Sequence, residues 1–131
     1  MANYTIKEEG KFKYIEEGEG EVIVLLHGLF GTLSNFEYLI EHFRGKYKIV
    51  IPMLPLYDMP VLTTGVKTLA EFLKKFIKHK KFDKVTLLGN SLGGHVALVY
   101  QDRWPEKVER MILTGSSGLY ENAFGGSYPK R

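Results

Sequence analysis

The sequence predicts an α/β fold, a mostly parallel, doubly wound sheet entered through an N-terminal antiparallel hairpin. Three observations carry this reading. Four apolar runs, at residues 21–28, 47–53, 84–88 and Val108–Thr114, lack the polar alternation of a half-exposed strand and read as strands buried on both faces. The segments between them space their apolar residues as amphipathic helices do. Ahead of them, residues 4–7 and 11–15 alternate polar and apolar positions around Glu9-Gly10, the pattern of a hairpin at one edge of a sheet.

Each element has a local reason. Gly18-Glu19-Gly20 turns the chain into the first buried run, EVIVLLHG. Ser34 and Glu37 form an S-x-x-E capping box, and Phe36, Leu39, Ile40 and Phe43 give the helix that follows an apolar stripe ending at Gly45. After the strand at 47–53, Pro52, Pro55 and Pro60 rule out regular helix and leave a loop over residues 55–64. Residues 66–78 form a helix with Val66, Leu69, Ala70, Leu73 and Ile77 on one face, 91–103 form another, and the chain after residue 114 has no regular period. In such a sheet ligands bind outside the carboxyl ends of the parallel strands, where residues 28–31, 52–64, 89–94 and 115–118 gather.

Composition narrows the function. A chain of 131 residues with 44% hydrophobic content supports one domain, residues 1–131, with a single core. A polar N-terminus, MANYTIKEEG, and no run of 18 apolar residues lead to the expectation of a soluble, cytoplasmic protein with no membrane partner. Zero cysteines exclude disulfides, thiolate catalysis and thiolate metal sites. Residues 1–41 carry three Lys/Arg against eight acids and residues 42–131 fifteen against seven, so the halves hold about −5 and +8 charges. The basic run KKFIKHKKFDK interleaves with the apolar stripe of its helix and reads as a solvated face, and no nucleic-acid motif accompanies it.

The stretch VTLLGNSLGGHVALVY carries the chemistry. A serine hydroxyl attacks a carbonyl only when it is exposed, faces a base, and has donors placed for the negative charge of the tetrahedral intermediate. In Gly89-Asn90-Ser91-Leu92-Gly93 a sharp strand-to-helix turn would expose Ser91, and glycines two before and two after it remove side chains that would collide. Ser91 then stands at a helix N-terminus, with the N–H of Leu92 as one oxyanion donor. His27-Gly28 closes an earlier buried strand 64 residues upstream, so the backbone of Leu29 or Phe30 can supply a second. A plain tight turn is the competing reading. Phosphate loops do not fit, because one pattern needs glycine at Ser91 and the other lysine after its second glycine, and no pair of His or carboxylates has metal-ligand spacing.

With HG-x-x-G after one strand and G-x-S-x-G-G after another, the chain resembles the α/β-hydrolase superfamily, in particular its esterase-like and carbon–carbon hydrolases. The resemblance covers nearly all 131 residues and implies an α/β-hydrolase fold truncated after the sixth strand. It implies a serine hydrolase acting on an ester or related carbonyl compound without a cofactor. Ser91 matches the nucleophile, Leu29 and Leu92 the oxyanion-hole residues, and Phe30 a pocket-lining position. Asn90 stands where many members have histidine, and the family's D-x-x-G-x-G-x-S turn is absent from residues 52–64. The triad acid and histidine follow later strands in the family, so neither is expected in this chain and the chain alone is expected to be inactive.

None of the four histidines reads as the base. His27 belongs to the oxyanion loop, His95 sits one turn into the Ser91 helix directed away from the elbow, and His42 and His79 lie toward polar helix ends. Asp58 could orient a histidine but reads as a solvated turn aspartate. A non-catalytic module of the same fold, binding a ligand or a protein, is the alternative. Expected partners are a small-molecule substrate and, through the apolar outer edge of Val108–Thr114, either a second copy or the family's C-terminal half.

Overall fold

The computed structural model describes residues 4–27, 36–55 and 65–115. Along the chain these form β1 (Lys7–Glu9), β2 (Phe12–Glu17), β3 (Glu21–Leu26), α1 (Glu37–Phe43), β4 (Tyr47–Pro52), α2 (Val66–Lys80), β5 (Val85–Asn90), α3 (Leu92–Arg103), a short 3-10 turn (Pro105–Lys107) and β6 (Val108–Thr114). The six strands make one sheet in the order β1-β2-β4-β3-β5-β6. β1, β2 and β4 pair antiparallel, while β4, β3, β5 and β6 run parallel. The mostly parallel sheet with an N-terminal hairpin is the fold class the sequence predicts.

Because side chains alternate along a strand, the central strands feed two cores. Val24 and Leu26 of β3, Val50 of β4 and Val85 and Leu87 of β5 pack with α2 and α3. Leu25, Ile49, Ile51 and Leu88 point the other way and pack with Phe36 and Ile40 of α1. A strand with helices on both faces has no polar side to present, which is why these runs are apolar through their centres, with Glu21, Lys48 and Thr86 near their starts. Edge-on aromatic contacts fasten the hairpin to α2, with Phe12 5.3 Å from Phe72 and 5.6 Å from Phe76, and Tyr14 5.3 Å from Phe76.

Three details depart from the sequence reading. α1 starts at Glu37 with no side-chain cap, and Ser34 of the expected capping box lies outside the described residues. α2 continues two residues past Lys78, to Lys80. It closes by Phe82 N–H to the Ile77 carbonyl (3.2 Å) and Lys81 N–H to the Lys78 carbonyl (3.0 Å), the paired bonds of a Schellman turn, with Lys81 at φ 61° where glycine is usual. β6, expected to be a buried strand with an open outer edge, is the edge strand among the described residues, but none of its seven residues is buried.

A half-hidden polar cluster ties β2 to the sheet and to α2. Lys80 Nζ lies 2.8 Å from Glu16 and donates to the Tyr14 hydroxyl at 3.0 Å, and Lys48 Nζ lies 3.1 Å from the other Glu16 oxygen. Burial pushes the Glu16 carboxyl up, but hydrogen bonds from both lysines and their charges outweigh it, and the group sits below the ordinary 4.5. A carboxyl that ionises more readily folded than unfolded stabilises the fold above its unfolded value and loses that contribution as pH falls through its folded value. Glu16→Gln should therefore cost about 1–3 kcal/mol at neutral pH, with Lys80 and Lys48 left uncompensated. Urea titrations across the acid range should show the gap to the parent closing once the pH drops below 4.5.

Candidate active site

β5 ends at Asn90 and α3 begins at Leu92, so Ser91 alone makes the turn, exposed, at φ 57° and ψ −120°. The positive φ marks a strained turn. Lys81 is the other non-glycine residue with positive φ among those described, but it occupies the ordinary left-handed well at a helix end. The Ser91 pair of angles belongs to a turn position that favours glycine, and holding a serine there costs about 1–3 kcal/mol. Neighbours on both sides hold it. Ser91 N–H donates to the Thr114 carbonyl at the end of β6 (3.1 Å), and the Ser91 carbonyl accepts from the N–H groups of Gly94 (2.9 Å) and His95 (3.3 Å).

The flanking glycines are demanded by close approach. A Cβ on Gly89 would meet the Gly93 carbonyl oxygen at 2.6 Å and the Gly94 backbone at 2.6 Å, the collision across the serine that the sequence motif implies. At Gly93 the obstruction lies elsewhere, since a Cβ there would stand 2.0 Å from the Leu26 carbonyl oxygen and 3.0 Å from that of His27. The first turn of α3 is thus pressed against the carboxyl end of β3, where Leu26 already pairs with Gly89. Two chain exits share one spot: β3 leaving through His27, and β5 turning at Ser91.

This arrangement favours negative charge beside Ser91. As the first residue of α3, Leu92 has an N–H with no acceptor inside the helix, and the helix dipole adds to its effect. Leu29 and Phe30, expected to supply the second donor and a pocket wall, lie outside the described residues, as does Asp58. His95 is half-buried, and burial holds its imidazole below the ordinary value, favouring the neutral form. His42 is exposed on α1, and His79 is 2.8 Å from Glu9 at the hairpin. Among the described residues no group of three His, Cys, Asp or Glu could hold a metal ion.

One part of the site had no signal in the sequence. Thr114 Oγ1 donates to Asn90 Oδ1 (3.1 Å), and Gly115, at φ 55°, leaves room for that amide, since a Cβ on it would come within 2.4 Å of Asn90 Oδ1. The elbow is therefore fixed from β6, 24 residues away in the chain.

A profile of the α/β hydrolase fold matches residues 21–129. The chain belongs to this family. It is 31% identical to 2-hydroxy-6-oxononadienedioate/2-hydroxy-6-oxononatrienedioate hydrolase 1 of Pseudomonas putida, over 88% of this chain and 48% of that protein. It is 30% identical to a Burkholderia cepacia 2-hydroxy-6-oxo-6-phenylhexa-2,4-dienoate hydrolase, over 92% of this chain and 46% of that protein. Among solved structures, an α/β hydrolase enzyme from the metagenome of sediments of the Mar Chica lagoon, Morocco, superposes with a TM-score of 0.82 and 53% identity over 89% of this chain and 54% of that one. The chain spans about half the length of the curated relatives it matches. Among the described residues no helix is long and apolar enough to cross a membrane.

Proposed function

We propose that this chain carries the nucleophile half of a serine hydrolase acting on an ester or related carbonyl substrate. The observation that supports it most is the exposed, strained Ser91, held between β5 and α3 by the end of β6 and pressed against the end of β3. Ser91 Oγ attacks the carbonyl carbon as its proton passes to a base, and the carbonyl π pair moves onto oxygen. That oxyanion accepts from the N–H of Leu92 and of Leu29, with Phe30 lining the acyl pocket. Collapse expels the leaving group with a proton, and water then releases the acyl-enzyme, so no cofactor is needed. Both relatives' names specify a 6-oxo substrate, which favours a ketone as readily as an ester.

The base is the missing part: none of the four histidines is proposed for it, so this chain alone should hydrolyse activated esters near background. In the complete protein a fluorophosphonate probe should label Ser91, read by mass on the peptide, and Ser91→Ala should abolish labelling. An unlabelled Ser91 in a folded complete protein would sink the catalytic reading and leave a ligand-binding module of the same fold.

A further inference from the structure

At the opposite end of the sheet from Ser91, the carboxyl ends of α2 and α3 enclose a cleft of about 600 Å³. Two chain reversals build it. The Schellman turn after α2 folds Phe82 back over the helix, where it packs on the core, and Trp104 closes α3 with its N–H on the Tyr100 carbonyl at 2.8 Å. Ile77 and Tyr100, 2% and 1% exposed, make the floor, and Trp104 and Phe82 the half-buried walls. The rim is cationic, because Lys74 and Lys78 stand one turn apart on α2, Lys81 follows in the turn that closes it, and Lys107 lines the same cleft from the 3-10 turn.

These four ammonium groups meet two carboxylates, Asp83 and Glu106, in the cleft lining. Among the described residues none of the four lies within 4.0 Å of a carboxylate, whereas Lys48 and Lys80 share Glu16. Lys74 is instead held over the Trp104 ring, 5.0 Å from its centroid. Burial and the Glu106 charge push the Tyr100 phenol to about 12, so it stays neutral. An apolar floor of this size under four lysines and two acids, none of them ion-paired to each other, suits a ligand with an apolar body and one anionic head.

We propose that this cleft binds a small amphipathic carboxylate, at a site separate from the Ser91 elbow. The 12 residues of α3 put the two sites about 18 Å apart along the helix. Trp104 is the sole tryptophan in the sequence, so its fluorescence reports the cleft directly. Titration with octanoate should change that fluorescence saturably, octan-1-ol should bind about fivefold or more weakly, and Lys78→Gln with Lys107→Gln should weaken octanoate by a similar factor. Lys78 is exposed and Lys107 half-buried, and circular dichroism of the double variant checks that the fold is kept. No saturable response to octanoate, equal binding of the alcohol, or an unchanged affinity in the folded double variant would overturn the proposal. So would a response to hexaglutamate without one to octanoate, which would point to an acidic protein segment. Labelling of Ser91 reads the other end of α3, so the two proposals fail independently.

Discussion

Gly93→Ala should cost this fold about 3 kcal/mol or more, enough to unfold it or to lower its melting temperature by roughly 10 °C. The added methyl would sit 2.0 Å from the carbonyl oxygen of Leu26 and 2.5 Å from its carbonyl carbon, distances that real Cβ atoms do not reach. Neither side can give. Leu26 ends the central strand β3, which is hydrogen-bonded to β4 on one edge and to β5 on the other. Gly93 lies in the first turn of a helix whose buried Val96, Ala97 and Tyr100 are packed into the core. Gly45→Ala is the matched control, since a Cβ there meets nothing within 4 Å, and it should be neutral or slightly stabilising. Urea denaturation of both variants decides the matter. A Gly93→Ala protein within about 0.5 kcal/mol of the parent would mean that α3 is not pressed against β3 as described.

The same glycine shows how far the sequence could be read. Its identity and the strained serine beside it were legible, because G-x-S-x-G records a local steric need: Gly89 and Gly93 flank one sharp turn. The obstacle at Gly93 was not, because it is the Leu26 carbonyl, 67 residues away in the chain. Likewise the Asn90–Thr114 bond joins elements that share no local pattern. The central strands were legible because burial on both faces leaves mostly apolar residues in β3, β4 and β5. β6 shows the limit of that rule. An apolar run records a strand that is to be covered, not what covers it, and among the described residues β6 is open. The end of α2 was misplaced for a different reason, in that its left-handed closing residue is Lys81 where the usual signal is glycine. Of the four site residues, Ser91 and Leu92 stand together at the elbow, while Leu29 and Phe30 lie outside the described residues.

The open edge of β6 carries the other large expected effect: this chain should self-associate at micromolar concentration. β6 pairs with β5 along one side, and among the described residues no strand pairs with its other side. An edge strand is protected when charges or proline interrupt it. Here Glu109 and Arg110 guard the first half, whereas Met111, Ile112 and Leu113 follow without a charge, and Ile112 and Leu113 are 43% and 37% exposed. Unpaired backbone groups beside exposed aliphatic side chains are completed by another strand, and a second copy supplies one. Sedimentation equilibrium should return a mass above the 15.0 kDa of one chain. Ile112→Lys, which places a charge at an exposed position on that strand and leaves the buried core untouched, should shift the population to monomer. A parent chain that stays a folded 15.0 kDa monomer would overturn the prediction. So would self-association that Ile112→Lys leaves unchanged, since the contact would then lie elsewhere on the surface.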